Sequence, residues 1–181
     1  MEHSYRVLTP RLMLRPFTEH DLEHVRGWRN HEQLLFQEEA LSQTEQHLNG
    51  YERYRQNEHD MMFMAVHLKD EKPIGTGALF RVNRTNSSAE FGRVLIGNSD
   101  YQGLGLGEEI VKGLTQFGIV GLGLNTIELY VKITNTRAIK IYMNCGYVHD
   151  RTFRHYGPKS SGGSLIRMIC TYAHYHRENL N

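Results

Sequence analysis

The chain has 181 residues, a length that fits one domain over 1–181, with 39% hydrophobic and 23% charged residues and a formal net charge of +1. That balance suits a globular protein with a core and gives no general pull toward nucleic acid or membranes. The 21 Lys and Arg residues form no run longer than two, no segment approaches the ~20 apolar residues of a membrane span, and two cysteines cannot build a disulfide framework.

The first apolar run, Val7 to Phe17, alternates Leu12 and Leu14 against Arg11, Met13 and Arg15, which predicts a strand with one wetter face. Thr18 offers an N-cap with Asp21 three residues on, ahead of Leu22, Val25 and Trp28 at helical spacing. Ser42-Gln43-Thr44-Glu45 is a capping-box pattern and predicts a second helix to about Gln56. Strands are expected over Met61–Leu68, Ile74–Val82 and Ala89–Ile96, with a turn cluster at Arg84-Thr85-Asn86-Ser87. After a glycine-rich stretch, Ile110, Val111, Leu114 and Phe117 fall on one helix face. Thr126–Ile133 then reads as a buried strand. Asn135 opens a helix carrying Ala138, Ile141, Tyr142 and Cys145, which Gly146 stops. Strands over Tyr147–Phe153 and Leu165–Tyr175 close the chain, on either side of a polar loop at Pro158–Gly163. This order is a mixed sheet with helices packed against it, an α/β (α+β) class.

Gln102-Gly103-Leu104-Gly105-Leu106-Gly107 lies between a strand and a helix. Alternating glycines let backbone approach a ligand closely, and successive N–H groups at a helix N-terminus form a cradle for phosphate or pyrophosphate. A dinucleotide fingerprint requires G-x-G-x-x-G, which Glu108 breaks, and a Walker loop requires Gly-Lys-Ser or Gly-Lys-Thr, which is missing. The loop matches the Q/R-x-x-G-x-G/A pyrophosphate pattern of acetyl-CoA-dependent transferases at Gln102, Gly105 and Gly107. Three further segments resemble the same superfamily. They are Asn135-x-x-Ala138-x-x-x-Tyr142-x-x-x-Gly146-Tyr147 (Phe is usual at the last position), Ala89-Glu90-Phe91-Gly92, and the opening Thr9-Pro10-Arg11-Leu12-Met13-Leu14-Arg15-Pro16. In order and spacing, residues 7 to 175 resemble the GNAT N-acetyltransferases, in particular the branch acting on ribosomal-protein N-termini and small amines.

The resemblance implies a mostly antiparallel sheet whose fourth and fifth strands splay around acetyl-CoA. It places Val94, Leu95, Ile96, Gln102, Gly103, Leu104, Gly105, Leu106, Gly107, Glu108 and Asn135 along that co-substrate, with a backbone N–H near Val94 or Leu95 polarising the thioester carbonyl. Transfer needs a neutral amine, a stabilised oxyanion and a proton for the leaving sulfur. Tyr142 is the candidate acid and Glu90 the candidate base, through water; each can also be read as a packing or solvated residue. No metal is implied. His20 with His24, and His174 with His176 on one strand face, lack a convergent carboxylate or cysteine. Cys145 and Cys170 read as buried small hydrophobes in a reducing compartment. Met1–Arg6 lacks the apolar core of a signal peptide, so a cytoplasmic setting is expected.

The acceptor is less legible. Trp28-Arg29-Asn30-His31 and Glu45-Gln46-His47-Leu48 are similar to acetyltransferases of nucleotide-linked 4-amino-sugars, which implies an acceptor pocket containing Trp28, Arg29, His31 and His47. Ile139–Tyr142 and Ile166–Cys170 are similar to spermidine acetyltransferases, although a polyamine wants clustered carboxylates and Glu38-Glu39 is a modest cluster. A protein N-terminal amine is the third acceptor, and a non-catalytic acyl-CoA-binding module is the alternative outside enzymes. No nucleic acid or membrane partner is expected, and a homodimer is the assembly the resemblance leaves room for.

Overall fold

A computed structural model describes residues 3–28, 54–151 and 165–179. Arg29, His31, Glu38, Glu39, His47 and the capping box at Ser42 lie outside them. The opening segment is two strands, β1 (Val7–Leu8) and β2 (Leu12–Pro16), rather than the single strand expected. The break sits at Thr9-Pro10-Arg11, where Pro10 has no N–H for a ladder and the Thr9 N–H donates to Leu12 O at 2.9 Å. Thr18 and Asp21 pair as expected: the Asp21 carboxylate accepts from the Thr18 N–H at 2.8 Å and is gripped on both oxygens by Arg15. A helical turn at Glu19–Asp21 leads into α1, residues 22–28, and residues 54–56 are helical (α2).

Then come β3 (Met61–His67), β4 (Lys72–Asn83) and β5 (Ser88–Ile96), followed by α3 (Leu106–Gln116), which runs into a wide turn at Phe117–Gly121. After β6 (Thr126–Lys132) come α4 (Thr136–Asn144), β7 (Val148–His149), β8 (Leu165–Thr171) and α5 (Tyr172–Asn179). The sheet order is β1-β2-β3-β4-β5-β6-β8-β7, and every pairing is antiparallel except β5 with β6.

Two expected strands are corrected. Tyr147–Phe153 is β-structure only at Val148–His149 among the described residues. The Leu165–Tyr175 strand ends at Thr171, whose hydroxyl accepts the His174 N–H at 3.2 Å and so starts a helix. His174 and His176 therefore stand on α5 and share no strand face. The strand read as buried, β6, is buried on one face only: Ile127, Leu129 and Val131 are covered, while Glu128 is half-buried and Tyr130 and Lys132 are exposed.

The main core lies on the α3 side of the sheet, where Ile110, Val111 and Leu114 meet Leu14, Phe63, Phe91 and Ile127. A second cluster of Phe17, Val25, Tyr54, Met64 and Val66 covers the opposite face of β3. Both cysteines are buried and free, and burial pushes the Cys145 thiol up to about 12 and Cys170 up to about 11. Thiols held protonated in this way are poor nucleophiles, in keeping with a packing role.

Candidate active site

The site begins where the sheet opens. Register between β5 and β6 runs only through Ser88↔Thr126, Ala89↔Ile127 and Glu90↔Glu128, after which the two strands no longer pair with each other. These strands are the expected fourth and fifth, renumbered because the opening segment is divided. A bulge sharpens the divergence: Thr76 pairs with Leu95 and Ala78 with Gly92, so Arg93 and Val94 together oppose Gly77. Arg93 takes φ 56°, a left-handed conformation costly for a side chain, and the buried Thr76 hydroxyl donates to Arg93 O at 2.9 Å. Val94, which has no partner in the register, thus lies on the V-shaped opening beside Leu95 and Ile96.

The glycine loop closes the V at one end. Gly103 and Gly105 both take φ 77°, and Gly105 is the N-cap of α3. The Glu109 N–H is the first to find a helical carbonyl, donating to Gly105 O at 3.2 Å; those of Leu106, Gly107 and Glu108 precede it and point out of the helix end. Three ties fix the loop. The Gln102 amide donates to Ile96 O at 2.9 Å, the Tyr101 hydroxyl donates to Asp70 at 2.6 Å, and Arg11 donates to Leu104 O at 2.9 Å. The Asp70 bond pushes the Tyr101 phenol up to about 12.

These features fit a CoA pyrophosphate. A Cβ at Gly103 would meet nothing within 4 Å, so the cradle is open, and its donors are backbone amides at a helix N-terminus. Glu108 belongs to the cradle through its N–H alone. Its carboxylate pairs with Lys112 at 2.8 Å, and that hydrogen bond holds it below the usual range.

Arg11 and Glu109 were not singled out from the sequence, although the Thr9–Pro16 motif contains the first. Glu109 accepts from the Thr9 hydroxyl, the Arg11 N–H and Arg11 Nε, each at 2.7 Å, and so fastens the β1–β2 turn to α3. Burial pushes the Glu109 carboxyl up, but these bonds outweigh it and the net movement is down. A depressed carboxylate stabilises the fold above its unfolded value, about 4.3, and loses that contribution as pH falls through its folded value. Glu109→Gln should therefore cost about 1–2 kcal/mol at pH 7, discounted because Arg11 is half exposed, and much less at pH 3. Urea unfolding at both pH values checks this, and an equal loss at both would remove Glu109 from the acid response. A groove of about 690 Å³ opens between the β1–β2 turn, α3 and the end of α4, past Arg11, Lys112 and Cys145. Gly105 and Glu108 also line it, so it borders the cradle; within it Arg11 is paired with Glu109 and Lys112 with Glu108.

Asn135 caps α4, its side-chain oxygen accepting the Ala138 N–H at 3.1 Å. Seven residues on, the half-buried Tyr142 ring packs edge-on against Phe91 at 6.2 Å and Tyr147 at 5.9 Å. Its hydroxyl has no hydrogen-bond partner among the described residues, and burial raises its pKa, so the proton is retained near neutrality. Glu90, on the sheet face away from α3, accepts from Arg81 at 2.7 Å. Burial raises its carboxyl, the nearby Glu128 adds to the rise, and Arg81 opposes it. Trp28 lies over Gly97, where an added Cβ would meet the indole at 2.1 Å, so it packs at the end of β5 next to the V. His24 stacks on it at 5.8 Å.

The profile of the acetyltransferase (GNAT) domain matches residues 11–148. The chain is 28% identical over 157 residues to acetyltransferase PseH of Campylobacter jejuni, covering 83% of this chain and 95% of that protein. It is 26% identical over 150 residues to spermidine N(1)-acetyltransferase of Vibrio cholerae, covering 79% and 82%. A crystal structure of spermidine N-acetyltransferase from Vibrio cholerae, in complex with CoA and spermine, superposes with a TM-score of 0.75 at 22% identity over 96% of this chain and 100% of that one. A sheet opened between two strands, a glycine cradle at a helix N-terminus and a profile match across most of the sequence agree that the chain belongs to the GNAT acetyltransferase family.

Proposed function

We propose that the protein transfers acetyl from acetyl-CoA to the primary amine of a small-molecule acceptor, with nucleotide-linked amino-sugars as the first acceptor class. The observation that carries the transfer reaction is the V between β5 and β6 ending on the Gly103–Gly107 cradle. Bound there, acetyl-CoA supplies an electrophilic carbonyl and a thiolate leaving group. The chain's residues supply the rest. The amides of the cradle hold the pyrophosphate, with Gln102 fixing the loop to Ile96. The bulge presents backbone N–H groups near Val94 and Leu95 to the carbonyl oxygen. Glu90 takes the proton of the incoming ammonium through water, and Tyr142 delivers one to the sulfur. Holding both reactants in one cleft contributes to the rate in its own right.

For the acceptor, the described residues offer the Phe80 ring, with the Arg93 guanidinium 5.1 Å and that of Arg81 5.9 Å from its centroid. A ring for stacking and two guanidinia for a diphosphate suit a nucleotide-linked sugar. The second reading, a polyamine, is favoured by the carboxylates of Glu90, Glu128, Asp60 and Asp150, which outnumber the guanidinia of Arg81, Arg93 and Arg167 paired with them. A cytoplasmic homodimer is the setting proposed with either. Among the described residues, no helix is long and apolar enough to cross a membrane.

The test is an amine panel read by free-thiol release from acetyl-CoA, containing a nucleotide-linked 4-amino-sugar, spermidine, an aminoglycoside and an N-terminal peptide. The amino-sugar is expected to give the highest kcat/KM. Arg29→Ala should raise its KM sharply and leave spermidine unaffected, while Glu38→Gln with Glu39→Gln should do the opposite. Turnover of spermidine alone would move the polyamine to first place. Release from none would leave a non-catalytic acyl-CoA-binding module.

A further inference from the structure

Glu90 and Glu128 are register partners on the only parallel pair among the described residues, so their side chains leave the same face side by side. They are also the last pair before the strands part, which places both carboxylates at the apex of the V. Glu90 is covered, its side chain 13% exposed. Glu128 is held on both oxygens: Oε1 accepts from the Tyr130 hydroxyl at 3.2 Å, and Oε2 accepts from Nε and Nη2 of Arg167. Arg167 in turn reaches Asp150 at 2.8 Å, so the chain of contacts runs Glu128–Arg167–Asp150 from β6 through β8 to the residue after β7. Glu128 lies outside the four segments that resemble GNAT motifs.

We infer that Glu128 is a positioning residue for the transfer reaction: its carboxylate, anchored by Arg167 at the apex of the V, sets the basicity of Glu90. The inference rests on the reading of Glu90 as the base. Like charges on adjacent strands disfavour a second ionised carboxylate, and the covered position of Glu90 keeps water from screening the pair fully. The charged and titratable groups near Glu90 among the described residues are Arg81 from β4, Arg93 from its own strand, and Glu128 and Tyr130 from β6. Asp60 stands behind Arg93, and Arg167 stands behind Glu128. Arg81 and Arg93 pull the carboxyl down, and Arg81 is 76% exposed, free to swing from Glu90 when an ammonium takes its place. Glu128 is the fixed member. It keeps the carboxyl a better proton acceptor than two nearby guanidinia alone would allow.

The experiment titrates the Glu90 carboxyl directly, by ¹³C NMR of the full chain labelled at glutamate, with the resonance assigned from its loss in Glu90→Gln. In Glu128→Gln the Glu90 titration should move down by about half a pH unit or more, because a neighbouring negative charge has gone. In Arg167→Gln it should move up, because the cation shielding Glu128 has gone, and Arg167→Lys should stay near the parent protein. The two shifts have opposite signs and either can be read alone, so one variant that fails to fold leaves the other decisive. An ion bridge serving only to tie β6 to β8 would leave the titration in place in both, and that result overturns the inference. A second measurement separates it from the base assignment: kcat/KM against pH for the best amine of the panel. If Glu90 moves by NMR while the acidic limb of that profile does not follow, Glu128 still controls Glu90 but Glu90 is not the base.

Discussion

Gly105→Glu is expected to abolish acetyl-CoA binding, with a loss of at least about 100-fold in affinity by calorimetry, while circular dichroism reports an intact fold. Gly105 is exposed and is the N-cap of α3, and an added Cβ meets only Arg11 Nη2, at 3.8 Å, so a side chain there stands at the cradle rather than in the core. Three effects act together. A carboxylate repels a pyrophosphate, the side chain occupies the space it needs, and φ 77° costs a residue with a Cβ about 1–2 kcal/mol. Gly105→Ala isolates the last of these and should weaken binding far less. Equal affinity in the glutamate variant and the parent would place the donor elsewhere.

Tyr142→Phe should lower kcat by about 10²–10⁴-fold, the range general acid catalysis contributes, with acetyl-CoA affinity nearly unchanged. The phenol makes no hydrogen bond among the described residues, and its ring contacts with Phe91 and Tyr147 survive the change, so stability should hardly move. Burial has raised the phenol, so the parent enzyme carries the proton throughout the neutral range and the defect should be similar from pH 6 to 8. Single-turnover rates isolate the chemical step. Near-normal turnover with chemistry rate-limiting would leave Tyr142 as part of the aromatic cluster and nothing more.

What was legible in the sequence was local. Glycines that need positive φ announce themselves by type, and Gly103 and Gly105 adopt it where the loop was expected. Asn135 caps its helix as a short polar side chain before an apolar stripe should. The α5 helix was missed because the apolar run of Leu165–Cys170 carries on through Tyr172, Ala173 and Tyr175, and the Thr171 cap marks the change from strand to helix. Register was not legible at all. Glu128 looked like one charge in a buried strand until pairing with β5 set it beside Glu90. The bulge at Arg93 is equally non-local, since it exists only relative to β4; the buried Thr76 hydroxyl was its one trace. Trp28 is seen packing on Gly97, and the acceptor reading of Arg29, His31 and His47 remains with residues outside those described.

The three-residue join of β5 to β6 also bears on how the molecule assembles. Strands β1 to β5 form a meander whose neighbours in sequence are neighbours in space, apart from the long connection before β3, and β6 with β8 and β7 forms a separate antiparallel set. A parallel join needs a long crossover, here the one carrying α3, so no tight turn holds the two strands together. Held by three register pairs alone, the seam should be among the inner parts of the sheet from which amide protons exchange soonest. A ligand lying in the V touches both banks, so bound CoA should slow exchange at Ala89, Glu90, Ile127 and Glu128 more than in the outer strands. A donor bound in the proposed cleft would thereby mend the gap in the sheet that admits it.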